Sequence, residues 1–397
     1  MDQKKTWTTC GVICEYNPFH IGHAYQLKKA KQHSFADLII CLMSGPFTQR
    51  GDPALFSPAL RAHMALLNGA DIVFELPTAY ALREAEFFAQ GAISIFHNLQ
   101  IDGLSFGCES ENIEQLLTIA KFLNSPPNSF PLLLKEHLSK GVSFPVAQTK
   151  SLLPFFPQET LAAFEQPNNI LAIAYLRAID QLSSPISLYP ILRKGDYHPK
   201  HWQKGKDYPS ASALRSAVIR GSYQEMETMI PENTLSLVRD AIYRHEIHLP
   251  DRLDQSLLYI LQNLSPKDLS KFPSVEPGLD YKLLSSGKTA NSRNELIHLT
   301  KSKRYTYTRI NRLLTQILLG LETEKLQAIS PYPLRLLGFT QKARPWLAEH
   351  KKFCYTKAAN VPATTSFLVD MSAYDVWCLG SKIPRGYGYR QSPIVLL

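Results

Sequence analysis

The chain has 397 residues, of which 45% are apolar and 19% charged, a composition that excludes disordered and fibrous proteins and supports one large or two ordinary hydrophobic cores. The formal net charge of +9 is unevenly distributed: residues 1–198 contain 15 basic and 17 acidic side chains, whereas residues 199–397 contain 28 and 17. A basic half joined to a near-neutral half indicates a module that binds a polyanion, most often nucleic acid; a merely soluble basic surface is the alternative.

The six cysteines are too sparse for a disulfide framework, and no CxxC pair indicates a zinc site. We therefore expect reduced thiols and no metal held by the protein. No uncharged apolar stretch reaches the roughly 18 residues that span a bilayer. These observations predict a cytoplasmic protein.

The first 110 residues alternate between strand and helix patterns in the order of a parallel sheet with crossover helices. We predict strands at 8–15, 37–43, 71–76 and 103–107. The intervening helices are predicted at 23–32, 58–67 and 84–96. A sheet of this kind binds ligands at the carboxyl ends of its strands, where loops meet helix N-termini.

The rest of the chain divides into three parts. Residues 125–160 carry six prolines around one short helical stretch at 132–140, and they predict an irregular insertion over the sheet. A helix at 169–179, a strand at 187–192 and a helix at 212–220 then resume the alternation. Beyond about residue 230, helical patterns dominate, at 234–245, 254–263, 295–299 and 307–321. We predict a catalytic domain over 1–230 and a mainly α-helical basic domain over 231–397.

The most informative segment is EYNPFHIGH at residues 15–23, which ends the first predicted strand and opens the first helix. A helix N-terminus supplies backbone N–H groups and partial positive charge, His20 and His23 add hydrogen-bond donors, and Gly22 lets a phosphate approach the backbone. Such a site suits stabilisation of charge on a nucleotide α-phosphate under in-line attack. A structural histidine pair or a metal site is the alternative, although an adjacent Glu and a third ligand are missing.

The context of the two histidines is more specific than their spacing. Strand, Pro-Phe-His-x-Gly-His and helix form the HxGH signature of the nucleotidylyltransferase superfamily, which transfers AMP or CMP from a nucleotide. Further segments follow in chain order: SGPFTQRGDPA at 44–54, FELP at 74–77, SFG at 105–107, NNIL at 168–171, LRKG at 192–195 and SASALR at 210–215. Together they resemble the bacterial tRNA(Met) cytidine acetate ligase family over most of the chain, with a departure at Pro46, where that family usually carries Asn.

This resemblance implies an α/β fold, with a Rossmann-like HxGH nucleotidylyltransferase core and a mainly α-helical C-terminal domain, and a two-step reaction. Acetate attacks the α-phosphate of ATP to give acetyl-adenylate and pyrophosphate. The acetyl group then passes to N4 of the wobble cytidine of elongator tRNA(Met). Adenylation gives the otherwise inert carboxylate a good leaving group, and Mg²⁺ is expected because ATP brings it.

The resemblance also assigns site residues, with His20 and His23 as the catalytic pair facing the phosphates. The ATP-binding set that it implies is Ile13, Cys14, Glu15, Tyr16, Asn17, Pro18, Phe19, His20, Gly22, His23, Gly107, Asn169, Arg193, Lys194, Ser212 and Arg215. Local alternatives stay open, because Gly107 can serve as a turn glycine and Asn169 and Ser212 as helix caps.

Residues 301–312, KSKRYTYTRINR, place five positive charges and two tyrosines in 12 residues. On a helix, Lys301, Arg304 and Arg312 would share one polar stripe, with cations for phosphates and tyrosines for stacking or hydrogen bonding. A solvated helix face is the alternative. The predicted substrate and tRNA contacts are Arg50, Lys301, Lys303, Arg304, Arg309 and Arg312.

Two residues of the first half have open roles. Arg50, in the Gln-Arg-Gly-Asp loop, is predicted to meet substrate or RNA, with a solvated loop arginine as the alternative. Glu75, in FELP, is expected either to contact substrate or to be a buried carboxylate that orders its loop.

The leading hypothesis is an ATP-dependent acetate ligase acting on tRNA. One alternative is a small-molecule adenylyltransferase of the same superfamily, which would not need a second, basic domain. The other is a catalytically silent RNA-binding protein, which would have no physical reason to keep both His20 and His23.

Overall fold

The computed structural model describes residues 7–193 and 208–397. Within them, eight strands form one sheet in the order β5-β4-β1-β2-β3-β6-β7, with β8 beside β6. The strands are β1 (Thr9–Cys14), β2 (Leu38–Ser44), β3 (Ile72–Leu76), β4 (Gly103–Cys108), β5 (Ser187–Leu192), β6 (Leu334–Thr340), β7 (Cys354–Tyr355) and β8 (Ile394–Leu396).

Helices cover both faces of the sheet and build most of the region between β5 and β6. Those of the described residues are α1 (Ile21–Ser34), α2 (Pro58–Leu67), α3 (Thr78–Ala81), α4 (Ala85–Asn98), α5 (Ile113–Asn124), α6 (Ser129–Ser139), α7 (Phe144–Leu152), α8 (Gln158–Phe164), α9 (Pro167–Gln181), α10 (Ala211–Ile219), α11 (Tyr223–Met229), α12 (Leu235–Tyr243), α13 (Asp254–Gln262), α14 (Pro266–Leu269), α15 (Leu279–Gly287), α16 (Arg293–Thr300), α17 (Tyr307–Leu318), α18 (Thr323–Gln327), α19 (Arg344–Glu349), α20 (Thr365–Cys378) and α21 (Tyr387–Arg390).

Strands β1 to β5 are parallel to one another. The chain crosses from β1 to β2 on one side and places β4 on the other side of β1, so the strand order reverses at β1. In sheets of this topology the crevice outside the carboxyl ends of the strands at the reversal is where nucleotides bind. The predicted Rossmann-like α/β core is confirmed, and its ligand crevice lies beyond the ends of β1 and β4.

The central strands are buried on both faces because their residues alternate between two cores. In β2, Leu38 and Leu42 join the core on one face of the sheet, whereas Ile39 and Met43 join the core on the other face. Near-continuous apolar runs of this kind are typical of parallel strands covered by helices on both sides. The sheet is therefore a rigid support for the loops at its carboxyl edge.

Residues 125–160 contain helices α6 and α7 and the beginning of α8, so this segment holds more helix than the one short stretch predicted within an irregular insertion. The prolines lie where helices tolerate them: Pro145 in the first turn of α7 and Pro157 at the N-cap of α8. A proline in the first turn removes an N–H that has no helical partner anyway. These two prolines therefore mark helix starts.

The C-terminal part of the chain returns to the sheet, which differs from the predicted division at residue 230. Strand β6 pairs antiparallel with β3, with Ile72 opposite Phe339 and Val73 opposite Gly338, and β8 pairs with β6. Strands β6 and β8, which lie in the part of the chain predicted to be a separate and mainly α-helical domain, thus extend the sheet beyond β3.

The helices between β5 and β6 supply most of a third core, in which Leu257, Leu283 and Leu314 are fully buried. Phe47 and Leu82, from loops at the carboxyl edge of the sheet, belong to the same core. The helical region therefore packs directly on the loops that surround the ligand crevice. Among the described helices, none has the length and apolarity needed to cross a membrane.

Candidate nucleotide-binding site

A cleft of about 330 Å³ opens at the carboxyl ends of β1 and β4. Its walls come from the β1–α1 loop, the loop at 48–52, the ends of β4 and β5, and the start of α10. The predicted ATP-binding residues that line it are Ile13, Cys14, Glu15, Tyr16, Asn17, His20, Gly22, His23, Gly107, Arg193, Ser212 and Arg215. Lys194 lies outside the described residues.

His20 and His23 form the N-terminal cap of α1. His20 is the N-cap residue: its Nδ1 accepts from the backbone N–H of Gly22 at 3.1 Å, and its own N–H donates to Nδ1 of His23 at 3.3 Å. The two rings stack with centroids 3.7 Å apart. Each imidazole therefore uses Nδ1 as an acceptor, which places the ring proton on Nε2.

Both histidines are uncharged at neutral pH. Burial, with the cations of Arg193 and Arg215 nearby, lowers the pKa of His20 to about 3. Burial, the neighbouring His20 and Arg193 hold the pKa of His23 well below its usual value. The cleft is thus provided with two neutral Nε2–H donors whose orientation is fixed by the helix cap.

The packing of His20 at the N-terminus of α1 leaves no room for a side chain at Gly22. A Cβ at this position would lie 2.9 Å from Cε1 of His20 and 3.2 Å from Cβ of Tyr208. A larger residue would therefore displace the buried ring of His20 or the segment before α10. The glycine of the HxGH motif thus makes room for the protein's own histidine.

Helix α10 closes another side of the cleft. Its N-cap is Ser210, whose Oγ accepts from the N–H of Ala213 at 3.1 Å, so Ser212 does not have the alternative role of helix cap. Ser212 is the second residue of the helix and lines the cleft. Arg215, on the same helix, donates to the carbonyl of Asn17 at 2.6 Å. The arginine thereby ties α10 to the β1–α1 loop.

Asn169 has a positioning role. It is fully buried, its Oδ1 accepts from the N–H of Glu109 at 2.8 Å, and its Nδ2 donates to the carbonyl of Ala163 at 2.8 Å. Asn168 lines the cleft in its place, and its Oδ1 accepts from Arg193 at 3.1 Å. The neighbouring asparagine, rather than the predicted one, therefore faces the ligand space, and Asn169 does not open α9, which begins at Pro167.

Pro18 and Phe19 also fall outside the cleft lining. The Phe19 side chain is fully buried, with its ring centroid 4.8 Å from that of Tyr16 and 5.6 Å from that of His23. Phe19 consequently supports the histidine pair from behind, which the segment EYNPFHIGH does not reveal by itself.

The loop at 48–52 forms the side of the cleft next to Glu15. The backbone N–H of Gln49 donates to Oε1 of Glu15 at 2.6 Å, and burial raises the pKa of that carboxyl above its usual value. Arg50 is exposed and lines the cleft, as a substrate contact requires. Thr48 and Asp52, which the sequence did not single out, line it as well.

A buried arginine holds the strand ends in place. Arg61, on α2, is fully buried; its guanidinium donates to the carbonyl of Glu15 at 2.5 Å, to that of Ser44 at 3.1 Å, and to that of Gly45. Charge-assisted bonds to carbonyls compensate part of the cost of burying this cation. Arg61 thus joins the ends of β1 and β2, and sequence reasoning missed it because an arginine in an amphipathic helix normally marks the exposed face.

An apolar wall completes the cleft. Phe88 on α4, Phe106 on β4, and Leu171 and Tyr175 on α9 line it, and the rings of Phe106 and Tyr175 lie 6.2 Å apart. Such residues are indistinguishable from ordinary core positions in a sequence, so no signal separates them. Ligand pockets combine apolar walls of this kind with a few directed polar groups.

The predicted RNA contacts divide into exposed and buried residues. Lys301, Lys303 and Arg304 are exposed, but they lie in a loop, because α17 begins only at Tyr307; the predicted continuous helical stripe is therefore wrong. Arg304 pairs with the carboxylate of Glu276.

Further along, Arg309 pairs with the same Glu276 carboxylate at 2.7 Å and is half-buried. Arg312 is only 8% exposed, and it donates to the carbonyls of Gln49 at 3.0 Å and Arg83 at 3.2 Å. The prediction that Arg312 contacts RNA is therefore wrong, because its guanidinium is used inside the protein. The exposed basic segment consists of residues 301–304, with Arg309 at its edge.

Comparisons with known proteins identify the family of the chain. A model of the family described as HIGH Nucleotidyl Transferase matches residues 7–386. The chain is 37% identical over 398 residues to the tRNA(Met) cytidine acetate ligase of Clostridium novyi, covering 97% of this chain and 99% of the relative. It is 34% identical over 356 residues to the enzyme of the same name from Halothermothrix orenii, covering 86% and 84%.

Among solved structures, the crystal structure of Thermotoga maritima TmcAL bound with alpha-thio ATP matches with a TM-score of 0.89 and 27% sequence identity, over 98% of this chain and 99% of that chain. The apo form of the same protein matches with a TM-score of 0.90. Fold, site and relatives agree along nearly the whole chain. The protein belongs to the HIGH nucleotidyl transferase family and, within it, to the tRNA(Met) cytidine acetate ligases.

Proposed function

We propose that this protein is an ATP-dependent acetate ligase that acetylates N4 of the wobble cytidine of elongator tRNA(Met), through acetyl-adenylate, in the cytoplasm where that tRNA is used. The observation that carries the proposal is the pair of neutral Nε2–H donors of His20 and His23 at a helix N-terminus, in a chain 37% identical to proteins of this name. Arginines at 50, 193 and 215 surround the same cleft.

In the first step, a carboxylate oxygen of acetate attacks the α-phosphorus of ATP, and the bond to the pyrophosphate oxygen breaks. Negative charge is spread over the non-bridging oxygens in the transition state, where His20 and His23 donate hydrogen bonds from Nε2–H and the N-terminus of α1 adds partial positive charge. Arg215 and Ser212, at the start of α10, hold the β- and γ-phosphates. No covalent bond to the protein is needed.

In the second step, N4 of the cytidine attacks the acetyl carbonyl carbon, and the bond between that carbon and the AMP oxygen breaks. AMP leaves with the bonding electrons, and the amine loses a proton to solvent. The tRNA is held by the exposed basic segment of Lys301, Lys303 and Arg304, with Arg309 at its edge, through contacts to phosphates.

Mg²⁺ enters with ATP in this proposal. Across the two described ranges, no group of three His, Cys, Asp or Glu side chains is placed to hold a metal ion. A cation carried by the triphosphate would supply positive charge to the departing pyrophosphate. Glu15 and Asp52 are the acidic side chains that line the cleft.

The test is incubation of the purified protein with ATP and labelled acetate, with and without elongator tRNA(Met). We expect acetate-dependent exchange of pyrophosphate into ATP without tRNA, and label in N4-acetylcytidine when tRNA is present. A transcript with uridine at the wobble position is the matched control and should take up no label. Pyrophosphate exchange that requires a phosphorylated vitamin precursor in place of acetate would identify a small-molecule adenylyltransferase, and RNA binding without any exchange would identify a silent binding protein.

A further inference from the structure

The loop at 48–52 is held from outside the cleft by α17. Thr315 Oγ1 donates to the carbonyl of Gly51 at 2.5 Å, and Arg312 donates to that of Gln49 at 3.0 Å. Asn311 Nδ2 donates to the carbonyl of Arg50 at 2.9 Å and to Oδ1 of Asp52 at 2.8 Å. Each of the four consecutive residues 49–52 thus accepts a hydrogen bond from a side chain of one helix.

The loop at 48–52 also packs tightly against the backbone of α17. Gly51 has a φ of +92°, and a Cβ there would lie 2.6 Å from Cα of Arg312 and 2.7 Å from the carbonyl oxygen of Asn311. The loop backbone therefore lies directly on the helix backbone. Asn311 is 2% exposed and Thr315 is fully buried, so water does not compete for these bonds. Buried polar contacts that are fully paired fix geometry more strictly than apolar packing does.

On its inner side, the same loop reaches the nucleotide site. The N–H of Gln49 donates to Glu15 at 2.6 Å, and both Gln49 and Arg50 line the cleft. The contacts thus run from α17 to the loop at 48–52, and from this loop to Glu15 at the end of β1. A displacement of α17 would be transmitted to the cleft through a single layer of residues.

We propose that Asn311, Arg312 and Thr315 are positioning residues of the activation site: they set the position of Gln49 and Arg50 against the end of β1, where the acid and the α-phosphate must meet. This inference rests on the proposed function, because acetate activation is its readout. A misplacement of about 1 Å in a site that works by positioning costs up to about 100-fold in rate.

Thr315 allows an almost isosteric test. Thr315→Val removes the hydroxyl that donates to Gly51 and accepts from the buried guanidinium of Arg293, and it keeps the volume, whereas Thr315→Ser keeps the hydroxyl. We expect Thr315→Val to lower kcat for acetate-dependent ATP–pyrophosphate exchange about tenfold or more, with KM for ATP and the Kd for tRNA within about twofold of wild type. Thr315→Ser should restore kcat. A role confined to stability would not give this division between kcat and KM.

The next residue of the helix supplies a matched control. Gln316 is 1% exposed and donates to the carbonyl of Leu82 at 2.6 Å, outside the 48–52 loop. Gln316→Leu removes a buried side-chain hydrogen bond to a backbone carbonyl of a different loop, and we expect exchange within about twofold of wild type at temperatures well below unfolding.

The outcomes separate the two proposals. Absence of acetate-dependent exchange in the wild-type protein would refute the proposed function. An active wild type with normal kcat in Thr315→Val, or an equal loss in Gln316→Leu, would overturn the positioning role. If Thr315→Val does not yield folded protein, Asn311→Asp replaces it, since it keeps the size of the side chain, loses the donor, and places a carboxylate against Asp52; unchanged kcat there would likewise overturn the inference.

Discussion

At the scale of single residues, the uncharged state of the histidine pair determines how the site can act. A charged imidazolium would bind the ground-state triphosphate strongly, whereas a fixed neutral donor contributes mainly as charge develops on the α-phosphate. The Nδ1 bonds of the cap leave Nε2–H as the group available to a ligand. The lowered pKa of His20, about 3, keeps this state over the whole physiological range.

Replacement of His20 tests this role. His20→Ala removes one donor and the N-cap of α1, and we expect acetate-dependent pyrophosphate exchange to fall by about 10²- to 10³-fold, with the Kd for tRNA unchanged. His33→Ala is the control, because His33 is exposed in the last turn of the same helix. Loss of tRNA binding together with exchange in His20→Ala would contradict the separation of the two sites.

Glu75 is a second residue whose charge state follows from its surroundings. It is 2% exposed, its Oε2 accepts from the hydroxyl of Tyr374 at 2.8 Å, and Arg335 lies 3.8 Å away. Burial raises its pKa to about 7. Glu75 does not line the cleft, so of its two expected roles the buried carboxylate is the one that the structure supports.

The raised pKa of Glu75 predicts a pH dependence of stability. Between pH 4.5 and about 7 the folded protein retains a proton on Glu75 that the unfolded chain releases. The stabilisation of the folded state by this bound proton is fully present below pH 4.5 and is lost as the pH rises through 7. We expect the free energy of unfolding of the wild type, relative to Glu75→Gln, to fall by about 3 kcal/mol from pH 4.5 to pH 8. Urea unfolding of both proteins across this range measures it. Glu111→Gln, at an exposed site, should run parallel to wild type, and a flat difference for Glu75→Gln would contradict the shift.

At the scale of helices and strands, the sequence pattern predicted those elements whose formation depends on residues nearby in the chain. The predicted helix at 58–67 and strand at 187–192 agree with α2 and β5 residue for residue, because Ser57 caps the helix ahead of its proline and the strand is a short apolar run. Strand β6 was missed, since LRLLGFT becomes a strand only by pairing with β3, far away in the chain. Gly338 fits there because a Cβ would lie 2.7 Å from Leu66.

The candidate site likewise contains residues whose roles depend on neighbours in sequence and residues whose roles depend on distant parts of the chain. The HxGH segment was predictable because its chemistry depends on neighbours in sequence, within one turn of helix. The roles of Asn169 and Arg312 were not, because each depends on a distant backbone group: the loop after β4 for the first and the 48–52 loop for the second. A residue type indicates which bonds a side chain can form, while the fold decides which partner it meets.

The basic segment gives a prediction of its own. Replacing Lys301, Lys303 and Arg304 with alanine should weaken tRNA binding and make the slope of log affinity against log salt shallower by about one for each phosphate that the variant no longer neutralises. Pyrophosphate exchange without tRNA should be unchanged, because these residues lie outside the cleft. Fluorescence anisotropy at several salt concentrations measures the affinity. Alanine at Lys351 and Lys352, also exposed, is the control; equal losses of affinity in both variants would show that general charge, not this segment, binds the RNA.

At the scale of the whole molecule, the sheet and the helical region depend on each other. Strand β3 has β6 as its outer neighbour, and Phe47 and Leu82 are buried in the core of the helical region. Glu75 meets its partners Arg335 and Tyr374 only when the C-terminal segment is docked. The catalytic half therefore has no complete core of its own.

This dependence predicts the behaviour of fragments. A fragment of residues 1–230 leaves β3 as an unpaired edge and Phe47 and Leu82 exposed, so we expect it to aggregate or to unfold without a cooperative transition. Thermal unfolding followed by circular dichroism, with gel filtration, tests this. Co-expression of 1–230 with 231–397 should restore a soluble complex and is the control; a monomeric 1–230 fragment that unfolds cooperatively would contradict the prediction.

The return of the chain to the sheet has a mechanical consequence. A module joined by one linker can rotate about it, whereas the helical region is connected to the sheet at both of its ends, through β5 on entry and β6 on exit. Any rotation must therefore deform the core that the helical region shares with the loops of the sheet. The distance between the basic segment and the cleft is consequently set by the protein itself, and if the basic segment binds tRNA as proposed, this distance determines which part of the RNA reaches the cleft.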